Sequence, residues 1–209
     1  MKLFSKIKSG IKIIVPAKKP NPIAQWKQMN CPLPVPHHLK QQIISGYARK
    51  TGYKIFIETG TYLGLMIDAQ KDNFDQLFSI ELDDKLFADA VEKFKDSDKI
   101  KIWHGDSGTT LSELMKTIDE PAIFWLDGHY SGDITALGDK ECPILEELEA
   151  IFNASKQNHL LLIDDARLFV GKNDYPTIPD LSDFIKARNA GASIKVDMDI
   201  IICKLKWQS

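Results

Sequence analysis

The sequence is poor in cysteine and has no long apolar run. Its 209 residues include only three cysteines, Cys31, Cys142 and Cys203, which are widely spaced and outside any C-x-x-C arrangement. Such spacing argues against a disulfide framework or a structural zinc site, and it is typical of a reducing cytoplasm. No stretch reaches the roughly 20 uninterrupted apolar residues that a membrane-spanning helix needs. We therefore expect a cytoplasmic protein that is not integral to a membrane.

Acidic residues are missing from the first 57 positions. Eleven lysines and arginines precede Glu58, the first acid of the chain, and six prolines lie between positions 16 and 36. The prolines predict an extended arm over 16–36. Residues 1–20 combine lysines with apolar residues near helical spacing, so they could make a peripheral contact with an anionic membrane surface; a basic tail, or a helix packed on its own domain, is the alternative. We predict a basic, proline-rich N-terminal arm over 1–36 and a folded domain over 37–209.

From residue 37 onward, helical and strand patterns alternate. Short, continuously apolar strands such as "KIFIE", "AIFWLD" and "LLLID" are separated by helices of about ten residues, which indicates an α/β fold with a mostly parallel sheet covered on both faces. The last two strands, "SIKVD" and "IIICKLK", leave no room for a helix between them and must pair as an antiparallel hairpin. Positive charge is confined to the arm, so no nucleic acid is expected as a partner.

Acidic residues end five successive predicted strands. In a parallel sheet these ends meet at one edge, where ligands bind. A single acid there could be a helix cap or a turn former, but five together favour a site. The acids are Glu58, Glu81, Asp106, Asp127 and the pair Asp164 and Asp165.

The first of these strands runs into a glycine turn, "FIETGTYLG". Its spacing, E-x-G-x-x-x-G, lacks the complete G-x-G-x-x-G of dinucleotide-binding folds, and two glycines after a strand can be a simple turn. Glu81, about 20 residues beyond the turn, is placed to accept hydrogen bonds from both hydroxyls of a ribose. Asp106 could accept from an exocyclic amine while the Ser107 amide donates to a ring nitrogen. Together these residues predict an adenosine-containing ligand.

With these motifs the sequence resembles the class I S-adenosylmethionine-dependent methyltransferases over roughly residues 40–209. The resemblance implies a Rossmann-like, seven-stranded, mostly parallel sheet with an antiparallel last strand. It also implies S-adenosylmethionine as the cofactor, with the glycine turn at its methionine part, "SIEL" at the ribose and "HGDSG" at the adenine. The residues so implied are Glu58, Gly60, Thr61, Gly64, Glu81, Asp106 and Ser107.

The segments "WLDGHYSGD" and "LLIDDA" look like the metal-binding strand ends of catechol-type and macrolide-sugar-type O-methyltransferases, which hold magnesium. The resemblance implies Asp127, Asp164 and Asp165 as ligands of Mg2+. The lysine base of the catechol enzymes has no counterpart, since Tyr130 stands at its position. We predict that Asp127 and His129 are catalytic, with His129 taking the hydroxyl proton, although His129 could equally be an ordinary loop histidine.

These features predict an S-adenosylmethionine-dependent O-methyltransferase that uses magnesium to activate a hydroxyl of a small molecule or saccharide. Three alternatives stay open: a metal-independent methyltransferase, an NAD-dependent oxidoreductase, and a non-catalytic membrane-recruited scaffold or other nucleotide-binding protein. The protein could also form a homo-oligomer.

Overall fold

The computed structural model describes residues 21–128 and 141–207, and the chain divides into two units, Met1–Pro32 and Leu33–Ser209. In the first unit, helix α1 spans Pro22–Gln28. The side chain of Asn21 caps it by accepting a hydrogen bond from the Ile23 amide at 3.0 Å. Our prediction that 16–36 is extended throughout was wrong here, because proline is compatible with the first position of a helix, where its missing N–H costs nothing.

The second unit alternates helices and strands as the sequence predicted. It contains α2 (His37–Thr51), β1 (Ile55–Thr59), α3 (Leu65–Gln70), β2 (Gln76–Glu81), α4 (Asp84–Phe94), β3 (Ile100–His104), α5 (Ser107–Met115), β4 (Ala122–Leu126), α6 (Ile144–Ala154), β5 (Leu160–Ile163), α7 (Ile178–Arg188), β6 (Ser193–Asp197) and β7 (Ile200–Lys204).

The seven strands form one sheet in the order β3-β2-β1-β4-β5-β7-β6. The first five are parallel, and β7 pairs antiparallel with both β5 and β6. The β6–β7 turn consists of Met198 and Asp199, both with positive φ, as a two-residue hairpin with the twist of its strands requires. The predicted Rossmann-like fold with an antiparallel last strand is confirmed.

Apolar residues cover both faces of the sheet. Successive residues of one strand enter different clusters: Ile57 and Phe124 pack on one face, and Phe56 and Trp125 on the other. Burial on both faces is the reason that the central strands are apolar at every position. No helix within the described part of the chain is long and apolar enough to cross a membrane.

Candidate active site

The sheet reverses its strand order between β1 and β4. After β1, the chain adds β2 and then β3 on one side of β1, and it adds β4 and β5 on the opposite side of β1. In open α/β sheets, ligands bind in the crevice beyond the carboxyl ends of the strands at this point. Thr59, the last residue of β1, pairs in register with Leu126, which directly precedes Asp127. The predicted turn and the predicted metal-binding strand ends are therefore neighbours.

The two glycines of the turn are required by close packing. Gly60 has φ +80°, and a Cβ added there would lie 2.6 Å from the backbone oxygen of Asp127. Gly64 has φ +65°, and its added Cβ would lie 2.8 Å from Cε2 of Phe94. Side chains disfavour positive φ, so the sequence E-x-G-x-x-x-G lets the turn lie directly against the end of β4.

Glu58, before this turn, and Thr61, within it, both bind Ser79 of β2. Ser79 Oγ donates to Glu58 Oε2 at 2.8 Å and shares a 2.6 Å hydrogen bond with Thr61 Oγ1. All three side chains are buried. Burial raises the pKa of Glu58 well above its ordinary value, against a hydrogen bond from Ser79 that lowers it, and repulsion from Asp127 raises it further. Through these hydrogen bonds with Ser79, Glu58 and Thr61 hold the turn against β2.

Glu81 ties the turn to the end of β2. Its Oε2 accepts from the Tyr62 amide at 2.7 Å, and its Oε1 accepts from the Asp83 amide at 3.0 Å. Two backbone donors fix the position of the carboxylate, because charge-assisted hydrogen bonds are stronger than neutral ones. A carboxylate oxygen has more than one acceptor site, so this arrangement leaves Glu81 able to accept from ligand hydroxyls.

Asp106 and Ser107 begin α5. Asp106 is its N-cap, with Oδ1 accepting from the Gly108 amide at 2.8 Å. Ser107 occupies the first helical position, where backbone N–H groups have no partner within the helix. Its hydroxyl donates to Glu147 Oε1 at 2.6 Å. The cap explains Asp106 structurally and also keeps its carboxylate at the edge of the sheet.

Asp127, Asp164 and Asp165, here called the carboxylate cluster, follow β4 and β5, and two of them contact a buried lysine. Lys40 of α2 pairs with Asp164 through Nζ and lies 3.3 Å from Asp165 Oδ1. Arg167 Nη1 donates to the same Asp165 oxygen at 2.6 Å and also pairs with Asp199. Two cations therefore face the cluster.

The charges in the cluster shift one another's protonation. Burial raises the pKa of Asp164, repulsion from Asp127 adds to the effect, and attraction to Lys40 opposes it. Burial lowers the pKa of Lys40, but attraction to Asp164, its hydrogen bond with that residue and attraction to Asp165 together raise it above its ordinary value. Lys40 is accordingly an ammonium ion at neutral pH.

This arrangement does not fit a divalent ion held by all three carboxylates. Magnesium needs oxygen ligands at about 2.0–2.1 Å in octahedral geometry, whereas the ammonium of Lys40 is bonded to the two aspartates that would supply them. Across residues 21–128 and 141–207, no group of three His, Cys, Asp or Glu side chains is arranged to hold a metal.

Sequence reasoning missed Lys40. The signal for Lys40 was present, because its spacing from Ile44 and Ala48 sets it on the buried face of α2. Its partners, however, lie more than 120 residues away in the chain. The predicted base His129 lies outside the described residues.

Comparison with known proteins agrees with this architecture. No family model matches the sequence, and no curated protein matches it. Among solved structures, an O-methyltransferase from Bacillus cereus in complex with SAH has a TM-score of 0.59 and 14% identity, covering 88% of each chain. TomG from Streptomyces achromogenes, an O-methyltransferase of tomaymycin synthesis in complex with SAM, has a TM-score of 0.58 and 15% identity, covering 86% of this chain and 85% of its own.

A third structure, the SAH-bound methyltransferase PaMTH1 from Podospora anserina, has a TM-score of 0.56 and 17% identity, covering 90% of this chain and 87% of its own. At these identities the likeness shows the fold. The chain has the fold of the class I S-adenosylmethionine-dependent methyltransferases, which confirms the resemblance at that level.

Proposed function

We propose that the protein is an S-adenosylmethionine-dependent O-methyltransferase that acts on a hydroxyl of a small molecule or saccharide. The proposal rests on the contacts at the point where the sheet reverses its strand order. There Glu81 binds the backbone of the glycine turn, and Gly60 lies against the end of β4. The structural neighbours crystallised with SAM or SAH have the same fold.

The residues of this edge match the parts of the cofactor. Glu81 would accept from the ribose hydroxyls, and Asp106 with the Ser107 amide would bind the adenine. The backbone of the turn around Gly60 and Gly64 would lie at the methionine part. The buried hydrogen bonds of Glu58 and Thr61 with Ser79 would support the turn. S-adenosylmethionine supplies a methyl group already activated by its sulfonium, so the protein has mainly to align the acceptor oxygen with it.

The role of magnesium stays a prediction. A divalent ion could enter the carboxylate cluster only if the Lys40 amino group left Asp164 and Asp165. The metal-independent methyltransferase, which the sequence left open, is favoured by this one observation. In that form a base such as His129 would take the hydroxyl proton without an ion to lower the pKa of the hydroxyl.

An NAD-dependent oxidoreductase fits less well. Dinucleotide-binding folds of this kind have the strand order 3-2-1-4-5-6 in a parallel sheet, whereas here β7 lies antiparallel between β5 and β6. The incomplete glycine fingerprint points the same way.

Calorimetric titration tests the cofactor site directly. S-adenosylmethionine and S-adenosylhomocysteine are titrated into the purified protein, with NAD as the competing ligand. We expect micromolar binding of both adenosyl compounds and none of NAD. Glu81→Gln should weaken binding at least about tenfold, because a hydrogen bond to a charged group contributes about 1.5–3 kcal/mol. Exposed Glu92→Gln on α4 is the matched control. A folded protein that binds neither adenosyl compound would overturn the proposal and favour the scaffold.

The acceptor, homo-oligomerisation and a peripheral membrane contact through residues 1–20 also stay predictions. The membrane contact rests on the sequence pattern of that segment, which lies outside the described residues. Deletion of residues 1–20 should reduce sedimentation with anionic liposomes, and equal sedimentation of the two proteins would contradict it.

A further inference from the structure

We propose that Lys40 is the built-in cation of the carboxylate cluster, a positioning residue that stands where the sequence predicts a magnesium ion. The inference rests on the proposed function and deepens it, because it concerns how the same edge of the sheet is organised for methyl transfer. It follows from the partners of each oxygen in the cluster.

The oxygens that a metal would need already accept hydrogen bonds. Asp164 Oδ2 pairs with Lys40, and Asp164 Oδ1 accepts from the Asp165 amide at 2.8 Å. Asp165 Oδ1 receives both Lys40 at 3.3 Å and Arg167 at 2.6 Å. At least three of the four carboxylate oxygens of Asp164 and Asp165 are thus bonded to protein donors. An entering ion would have to break the pairs with Lys40.

Packing holds the lysine in this position. The Lys40 side chain is buried, with 11% of its surface exposed, and Asp164 is buried to 1%. Nζ also lies 6.0 Å from the ring centroid of Trp125, two residues before Asp127 on β4. A buried lysine without partners is costly, and so are buried carboxylates without a cation. Each therefore stabilises the other, and the pair joins α2 to the end of β5.

Cations of the chain itself reduce the negative charge of the cluster. Its three carboxyl groups carry at most three negative charges, and Lys40 and Arg167 bring two positive charges to it, although Arg167 also pairs with Asp199. An ammonium has three N–H donors, of which Asp164 and Asp165 take two. Lys40 thus holds the end of β5 against α2 and lies near Trp125 of β4, which is the organising part of the work that a metal would do. It does not supply the Lewis acidity of a metal.

A metal titration tests this proposal separately from activity. Mn2+, whose free form gives an electron paramagnetic resonance signal, is titrated into the wild type, Lys40→Ala and Lys40→Arg. We expect no binding by the wild type up to about 1 mM, at the weak end of protein sites for such ions. Lys40→Ala should bind Mn2+ at least about tenfold more tightly, since the carboxylates lose their cation. Lys40→Arg should restore the wild-type behaviour, and Lys50→Ala, exposed on the same helix, should not differ from the wild type.

Sub-millimolar binding of Mn2+ by the wild type would overturn the proposal, and so would a folded Lys40→Ala that binds no better than the wild type. If Lys40→Ala does not fold, Lys40→Met combined with Asp164→Asn removes one charge of each sign. The inference is supported if this double variant folds and Lys40→Arg is stable. It is contradicted if the double variant does not fold and Lys40→Arg is unstable. SAH titration into the same samples reports on the proposed function independently.

Discussion

Replacement of Gly60 by alanine should cost the protein more than either of two other glycine replacements in the chain. Gly46 lies within α2, and an added Cβ meets nothing within 4 Å, so Gly46→Ala should stabilise by about 0.5–1 kcal/mol through helix propensity. Gly52 has φ +72° and an equally open surrounding, so Gly52→Ala should cost about 1–2 kcal/mol, the steric cost of the left-handed conformation.

Gly60 adds a steric clash to that conformational cost. Its φ is +80°, and the added Cβ would lie 2.6 Å from the backbone oxygen of Asp127. Backbone atoms cannot move aside as a flexible side chain can, and overpacking of this kind costs about 1–3 kcal/mol. The sum for Gly60→Ala is about 2–5 kcal/mol, and the turn must move away from β4. We therefore also expect SAH affinity to fall at least about tenfold in this variant alone.

Urea unfolding of the three variants and the wild type measures these costs from the shift of the midpoint at constant m-value. The comparison isolates the free-energy cost of the clash. Gly52→Ala measures the cost of positive φ without a clash, and Gly46→Ala measures the effect of an added methyl group in a helix. A Gly60→Ala variant within about 0.5 kcal/mol of Gly52→Ala, the usual scatter of surface substitutions, would refute the close approach of the turn to β4. Normal SAH affinity in Gly60→Ala would mean that cofactor binding does not depend on the close approach of the turn to β4.

Two further predictions follow from individual side chains. The buried imidazole of His159 accepts from the Ala122 amide through Nδ1 at 3.0 Å, and burial lowers its pKa from 6.5 to about 4. The unfolded chain therefore binds the proton more tightly than the folded protein. The free energy of unfolding should accordingly fall by about 3 kcal/mol as the pH drops from above 6.5 to below 4. Urea midpoints across this range should show a steeper loss in the wild type than in His159→Gln, and equal slopes would contradict the assignment. Asp106→Ser should keep the helix cap while Asp106→Ala loses about 1 kcal/mol, yet both should weaken SAH binding, and undiminished affinity in both variants would leave Asp106 as a cap alone.

Local sequence patterns predicted the helices and strands and the edge of the sheet that carries the acidic residues. Strands buried on both faces are apolar at every position, helices repeat at 3.6 residues, and a two-residue space between "SIKVD" and "IIICKLK" allows only a hairpin. All these signals are local. They were enough to predict a mostly parallel sheet with a closing hairpin and to bring Glu81, Asp106 and Asp127 to one edge, whereas the seven-stranded Rossmann-like arrangement was implied by the family resemblance.

The contacts of these side chains depend on the tertiary structure and were not predictable from local patterns. Gly60 needs its conformation because of the Asp127 backbone, and Glu81 is held by the amide of Tyr62. Lys40 meets Asp164, more than 120 residues away, and turns a predicted metal site into a site with its own cation. Contacts of this range depend on how strands are ordered and helices are laid on the sheet. Spacing along the chain places a residue on a face, but it does not identify the partner that the fold brings to it.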